Sequence, residues 1–187
     1  MDAALFSTIN GWHAPWLDGV MRGASWLGYF PGVWFVGAAL ALAVPPIRAA
    51  AWRMCLAVAL TYALTSGVIK PLVARQRPYT VITSARTVEA SPANGYSFPS
   101  GHAATAVAGA LAASRVLPGA SWAFWLLATL MAYSRIYVGV HYPTDVAAGA
   151  MVGAAVSFLV LGGAHPVTWM RRGGAADTTA AGVVVRP

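Results

Sequence analysis

Three short polar stretches interrupt an otherwise apolar chain, and they hold residue types suited to chemistry on a phosphate. The first carries Lys70, Arg75, Arg77 and Pro78. The second is Pro99-Ser100-Gly101-His102. The third carries Ser134 and Arg135, followed by His141 and Asp145. Lys70 is the only lysine, and Asp145 is the only acid between Glu89 and Asp177. A guanidinium presents a planar fork to phosphate oxygens and an ammonium a compact point charge. Lys70 and Arg77, with Arg135 as a third cation, can therefore neutralise a phosphoryl group that gains charge in a transition state. Pro99 suits a first helical turn, and a helix beginning here aims free backbone N–H groups at an anion. Gly101 permits close backbone approach, the Ser100 hydroxyl adds a donor, and His102 stands where a proton could pass to a leaving oxygen. His141 and Asp145 lie four apart around Pro143. A carboxylate on the far imidazole nitrogen fixes the tautomer that leaves the near nitrogen free to attack phosphorus.

Each stretch also has a plainer reading. A Lys/Arg pair can anchor lipid head groups at an interface, and Arg75 reads that way. Ser100 can be a helix cap beside a chance histidine. Asp145 can offset a helix dipole. A metal site is the main competing chemistry, but no H-E-x-x-H pattern or paired acids occur. Magnesium prefers carboxylates, and Asp145 alone is well placed. The expectation is chemistry without metal or other cofactor. His13 and His165 have no motif around them and read as interfacial residues.

The elements that must position these residues are written in the composition. The chain has 187 residues, 58 % hydrophobic and 9 % charged, with a mean hydropathy of +0.63. Soluble domains carry about 25 % charged residues, so too few charges remain here to cover a water-facing surface. The expected fold is all-α, a polytopic transmembrane bundle of five or six spans. A span needs about 20 mostly apolar residues; the candidates lie near Tyr29–Pro45, Ala51–Leu72, Ser100–Leu117, Ala120–Val138 and Asp145–Gly163. Residues 1–163 read as a single membrane-embedded domain and residues 164–187 as a flexible cytoplasmic tail. Met1–Gly28 is broadly amphipathic, with Asp18 and Arg22 spaced as a same-face ion pair. An interfacial helix is favoured there over a first span. No cleavable signal peptide is expected. The long connection Tyr79–Phe98 joins two polar stretches and suits a lid or substrate contact.

Alternating spans put all three polar stretches on one side of the bilayer. Arg48, Arg53, Arg115, Arg171, Arg172 and Arg186 fall on the other. With Lys70, Arg77 and Arg135 set aside as chemical residues, the positive-inside rule makes that other side cytoplasmic. The polar stretches then face the periplasm or exterior, at the outer leaflet. The net charge of +7 comes from arginines at the ends of apolar runs, which fits anionic lipid rather than nucleic acid. The lone Cys55 excludes a disulfide within the chain.

Taken together, the three stretches resemble the type-2 phosphatidic acid phosphatase family of membrane lipid phosphatases. The family pattern is K-x6-R-P, P-S-G-H and S-R-x5-H-x3-D. The chain matches it with Lys70, Arg77 and Pro78, with Pro99-Ser100-Gly101-His102, and with Ser134, Arg135, His141 and Asp145. The resemblance implies a phosphohistidine at His141, oriented by Asp145, with His102 protonating the departing oxygen. It implies that Lys70, Arg77, Arg135, Ser100 and Gly101 hold the phosphate, and that no metal is needed. Size and loop length look most like bacterial undecaprenyl-diphosphate phosphatases. Phosphatases of phosphatidylglycerophosphate, phosphatidate, diacylglycerol pyrophosphate, lipid A and polyprenyl-linked sugars share the motifs. A lipid phosphotransferase, a haloperoxidase and a non-catalytic binder of anionic lipid remain alternatives. The partners expected are a membrane lipid phosphate and the bilayer.

Overall fold

A computed structural model describes residues 1–29, 31–88 and 95–162. Among these residues every regular element is helical: α1 (Asp2–Asn10), α2 (Pro15–Leu27), α3 (Gly32–Leu42), α4 (Arg48–Ala63), the short α5 (Lys70–Val73) and α6 (Pro78–Val81), α7 (Gly101–Val116), α8 (Ser121–Tyr137) and α9 (Pro143–Leu161). The expected all-α class holds. The tail from residue 164 and His165 lie outside the described residues.

Helix α7 is the axis of the bundle, packed by α9, α8, α4 and α3. Its sequence explains why. Ten of its residues are buried, and nearly all are Ala, Gly or Thr, small enough to let neighbouring backbones close in. Trp34 of α3 fills the space over Gly109, where a Cβ would sit 2.1 Å from the indole. On α9, Gly149 and Gly153 form a G-x-x-x-G stripe that lies directly on the α7 backbone at Ser100 and Ala104. Large apolar side chains point outward instead: Leu40, Trp122, Phe158 and Leu159 are all exposed. Small residues inside and large apolar ones outside is the arrangement of a bundle solvated by lipid tails.

Among the described residues two helical stretches are long and apolar enough to cross a membrane on their own, Pro45–Val81 and Pro143–Leu161. A third is added if Pro15–Leu27 and Gly32–Leu42, bent by 54°, cross together. Helices α7 and α8, with 16 and 17 residues, fall short of the roughly 20 expected. The segment Met1–Gly28 is two helices, not one. Helix α2 packs on α8 and buries Met21, Ala24 and Ser25. Asp18 does not use its carboxylate on Arg22 as the spacing suggested. It accepts from the Tyr137 hydroxyl at 2.6 Å, meets His13 Nδ1 at 2.8 Å and Arg86 at 3.5 Å. His13 is thus a buried member of this cluster rather than an interfacial residue.

Between α4 and α5 the helix widens into a π-helical stretch, Leu64–Ile69. The Thr65 hydroxyl donates back to the Thr61 carbonyl at 2.7 Å, the kind of back-bonding that bends a helix. π-Bulges frequently mark functional sites, and this one delivers Lys70.

Candidate active site

One end of the bundle encloses a cavity of about 180 Å³. Lys70, Arg77, Gly101, His102, Arg135 and His141 line it, joined by Tyr62, Ser66 and Thr105. The elements that bring them together are the end of the α4–π–α5 rod, the start of α7, the end of α8 and the α8–α9 turn. Alternating chain direction places these termini at the same end of the bundle.

The α8–α9 turn is built to aim His141. Arg135 in the last turn of α8 accepts the backbone N–H groups of both Val140 and His141, at 3.2 and 3.1 Å. Gly139 turns the chain with φ +86°, and a Cβ there would sit 2.4 Å from the Arg86 carbonyl. Only glycine meets both demands. Pro143 then opens α9, and the Asp145 carboxylate reaches back to accept the Tyr142 N–H at 2.9 Å.

The two faces of the His141 ring are distinct. Arg77 Nη1 lies 3.4 Å from Nε2. A guanidinium only donates, so Nε2 must present its lone pair and the proton belongs on Nδ1. Nδ1 faces the Asp145 carboxylate at 3.5 Å, slightly longer than a formed hydrogen bond. Burial holds His141 well below its ordinary pKa, and Arg77, Arg135 and Lys70 push in the same direction. The ring is therefore neutral at pH 7, with an unprotonated nitrogen on the side of the cavity cations.

Those cations are held from behind. Arg77 is buried, donating from Nε to the Gly95 carbonyl at 2.9 Å and from Nη1 to the Val140 carbonyl at 3.0 Å. Lys70 donates to the carbonyls of Tyr96 and Ser97 at 2.8 and 3.4 Å. Ser97 in turn bonds the Arg75 and Gln76 carbonyls. The end of the Tyr79–Phe98 connection is thereby tied to the first polar stretch. Residues 89–94, the centre of the expected lid, lie outside the described residues.

Helix α2 supplies what sequence reasoning missed. The Ser25 hydroxyl accepts a short hydrogen bond from Arg135 Nη1, and the Ser25 backbone bonds the His102 ring. Gly28 lies so close that a Cβ would sit 2.5 Å from His102 Cδ2. Nε2 of His102 is buried without a hydrogen-bond partner among the described residues, on a residue that lines the cavity. No motif marks Ser25; the signal was only that Ser25 and Gly28 are small residues among the bulky ones of an amphipathic segment.

Most of the expected site residues converge. Lys70, Arg77, Gly101, His102, Arg135 and His141 share the cavity, with Asp145 behind His141. Ser100 is fully buried and caps α7, its Oγ accepting the Ala103 N–H at 3.3 Å, while its own N–H donates to the Asp145 carbonyl at 2.9 Å. Arg75 is not a head-group anchor: it binds Asp145 and Asp2, each at 2.6 Å. Among the described residues no group of three His, Cys, Asp or Glu side chains is arranged to hold a metal.

With this geometry in view, comparison with known proteins decides the family. The profile of the PAP2 superfamily matches residues 50–169. The chain belongs to the PAP2 superfamily of membrane lipid phosphatases. An undecaprenyl-diphosphatase of Sulfolobus acidocaldarius is 35 % identical over 157 residues, covering 83 % of this chain and 74 % of that protein. A lipid A 4'-phosphatase of Porphyromonas gingivalis is 32 % identical over 166 residues, covering 83 % and 70 %. The crystal structure of a PAP2-type phosphatidylglycerolphosphate phosphatase from Bacillus subtilis superposes with a TM-score of 0.70 at 27 % identity, covering 86 % of this chain and 83 % of that one. The names of these three relatives specify three different lipids.

Proposed function

We propose that this PAP2 protein hydrolyses a phosphate or diphosphate ester of a membrane lipid through a phosphohistidine, with undecaprenyl diphosphate as the leading substrate. The observation that carries the reading is the His141 ring, with a guanidinium at Nε2 and a carboxylate on the Nδ1 side. That arrangement supports in-line attack by Nε2 on a phosphorus held by Lys70, Arg77, Arg135 and the Gly101 N–H at the start of α7, with Ser100 capping that helix behind it. The P–O bond to the leaving group breaks as the N–P bond forms, and His102, which takes up a proton when the anionic substrate offsets the neighbouring Arg135 and Lys70, gives that proton to the departing oxygen. Asp145 stabilises the positive charge that develops on His141. His102, now neutral, takes a proton from water, whose oxygen attacks phosphorus and releases inorganic phosphate and free His141.

Each step uses side chains in the cavity or, for Asp145, directly behind it, and the proposed reaction calls for no metal. In this reading the chain crosses the membrane five or six times, α7 and α8 included, and the cavity opens at the outer leaflet of a bacterial inner membrane. Arg48 at the α3–α4 turn and Arg115 near the α7–α8 turn, at the opposite end of the bundle, support that orientation through the positive-inside rule.

The test is a phosphate-release panel in detergent micelles, comparing undecaprenyl diphosphate, phosphatidylglycerophosphate, phosphatidate and lipid A. The expected result is free inorganic phosphate, with undecaprenyl diphosphate turned over at the highest kcat/KM. Transfer of the phosphoryl group to another acceptor, or release from none of the four, would contradict the proposal.

A further inference from the structure

The residue that the hydrolytic reading leaves without a task is Arg75. It stands two positions before Arg77, yet it does not line the cavity. Ala74 explains the divergence: with φ +50° and ψ +33° it ends α5 in the left-handed region, a conformation that costs a non-glycine residue about 1 kcal/mol. Lys70 and Arg77 face the cavity, while Arg75 turns outward over the start of α9.

There both of its terminal nitrogens are engaged. Nη1 donates to Asp145 Oδ1 at 2.6 Å and to Thr144 Oγ1 at 2.8 Å. Nη2 donates to Asp2 Oδ2 at 2.6 Å. Its Cζ lies 3.9 Å above the Tyr142 ring. Asp2, in the first turn of α1, also accepts the Thr144 hydroxyl and, at 3.2 Å, the Thr144 N–H. Asp145 is fully buried, whereas the Arg75 side chain is 30 % exposed. The Asp145 carboxylate thus has one oxygen on Arg75, while the other accepts the Tyr142 N–H and stands 3.5 Å from His141 Nδ1.

We infer that Arg75 is a positioning residue for the reaction proposed above. Clamped by Asp2 and Thr144, it fixes the Asp145 carboxylate behind His141 and offsets part of that carboxylate's charge. The charge matters because a carboxylate with no other partner pulls harder on an imidazolium than one shared with a guanidinium. The groups facing His141 are Lys70, Arg77, Arg135 and His102 from the cavity side and Asp145 from behind. Arg75 and Asp2 act on the ring only through Asp145, and with opposite sign. Removing Arg75 leaves Asp145 less compensated and favours protonated His141. Removing the Asp2 charge concentrates Arg75 on Asp145 and favours the neutral ring. Since attack requires neutral His141, the acid limb of kcat/KM moves to higher pH in the first case and to lower pH in the second.

The experiment measures pH profiles of phosphate release for the full chain in detergent, as wild type, Arg75→Ala, Arg75→Lys and Asp2→Asn. Arg75→Ala is expected to lower kcat about 10- to 100-fold, to change KM less than twofold and to move the acid limb up by about half a unit to one unit. Arg75→Lys returns the limb to its wild-type position with kcat still reduced, because one ammonium cannot serve three partners. Asp2→Asn moves the limb down, and it decides the matter if Arg75→Ala does not fold. A raised KM with an unmoved limb would make Arg75 a substrate or head-group ligand and overturn the inference, as would limbs that shift together or not at all. If wild type releases no phosphate, the hydrolytic reading falls separately. The same opposed shifts are then read from ¹⁵N-histidine NMR titration, with the His141 signal identified by its loss in His141→Asn, and their absence there overturns the inference too.

Discussion

Replacing Gly149 with alanine tests whether the α7–α9 contact sets the geometry of the site. A Cβ at this position would sit 2.3 Å from the Ser100 carbonyl oxygen, 3.2 Å from its carbon and 3.3 Å from the Ala104 nitrogen. All three are backbone atoms, so no side-chain rotation relieves the clash. Ordinary contact begins near 3.4 Å, and α7 and α9 must therefore part by about 1 Å. Ser100 lies at the hinge of that movement, since its N–H donates to the Asp145 carbonyl at 2.9 Å and it caps the helix that carries His102. The shift would move His102 and the N–H groups of α7 away from His141. Overpacking of this kind costs about 1–3 kcal/mol, and a 1 Å misplacement of reacting groups costs about 10²-fold in rate. The assay is kcat and KM for phosphate release, together with the thermal midpoint in detergent. The control is Gly23→Ala on α2, where nothing lies within 4 Å of an added Cβ and helix propensity gains about 0.5–1 kcal/mol. A Gly149→Ala protein with wild-type kcat would refute the claim that this contact sets the geometry.

Two further outcomes follow from the site. Ser25→Ala removes the hydroxyl that accepts from Arg135; a hydrogen bond to a charged group is worth about 1.5–3 kcal/mol, so kcat/KM should fall about tenfold, while Ser25→Thr retains most activity. Unchanged kinetics in Ser25→Ala would remove α2 from the account. Excess EDTA should leave phosphate release intact, because the proposed mechanism assigns charge neutralisation to the cavity cations; loss that magnesium restores would contradict this.

What could be read along the chain was which motif residues meet at one cavity. Lys70, Arg77, His102, Arg135 and His141 announced themselves by residue type and internal spacing, and alternating spans required them to share one end. What escaped was set by partners distant in sequence. Arg75 looked like an interfacial anchor because its partners, Asp2 and Asp145, are 73 and 70 positions away. Asp18 suggested a local pair with Arg22, yet tertiary packing delivered Tyr137, 119 positions on, and the Tyr137 hydroxyl binds Asp18 more closely than a solvated ion pair would. Ser25 and Gly28 matter through contacts with Arg135 and His102 that no local pattern encodes. The π-helical turn before Lys70 leaves no mark because its residues, Leu64–Ile69, are ordinary for a membrane helix. The Gly149/Gly153 stripe was visible as letters, but its partner helix was not.

The central claim is that His141 Nε2, poised beside Arg77 in a cavity shared with His102, becomes covalently phosphorylated. Rapid quenching of the full chain during turnover of undecaprenyl diphosphate, followed by peptide mass spectrometry under alkaline conditions, measures this directly. The account predicts an acid-labile phosphoryl group on His141 that forms as fast as turnover and is absent from His141→Ala. Phosphate release without any such adduct, or an adduct on another residue, would contradict it.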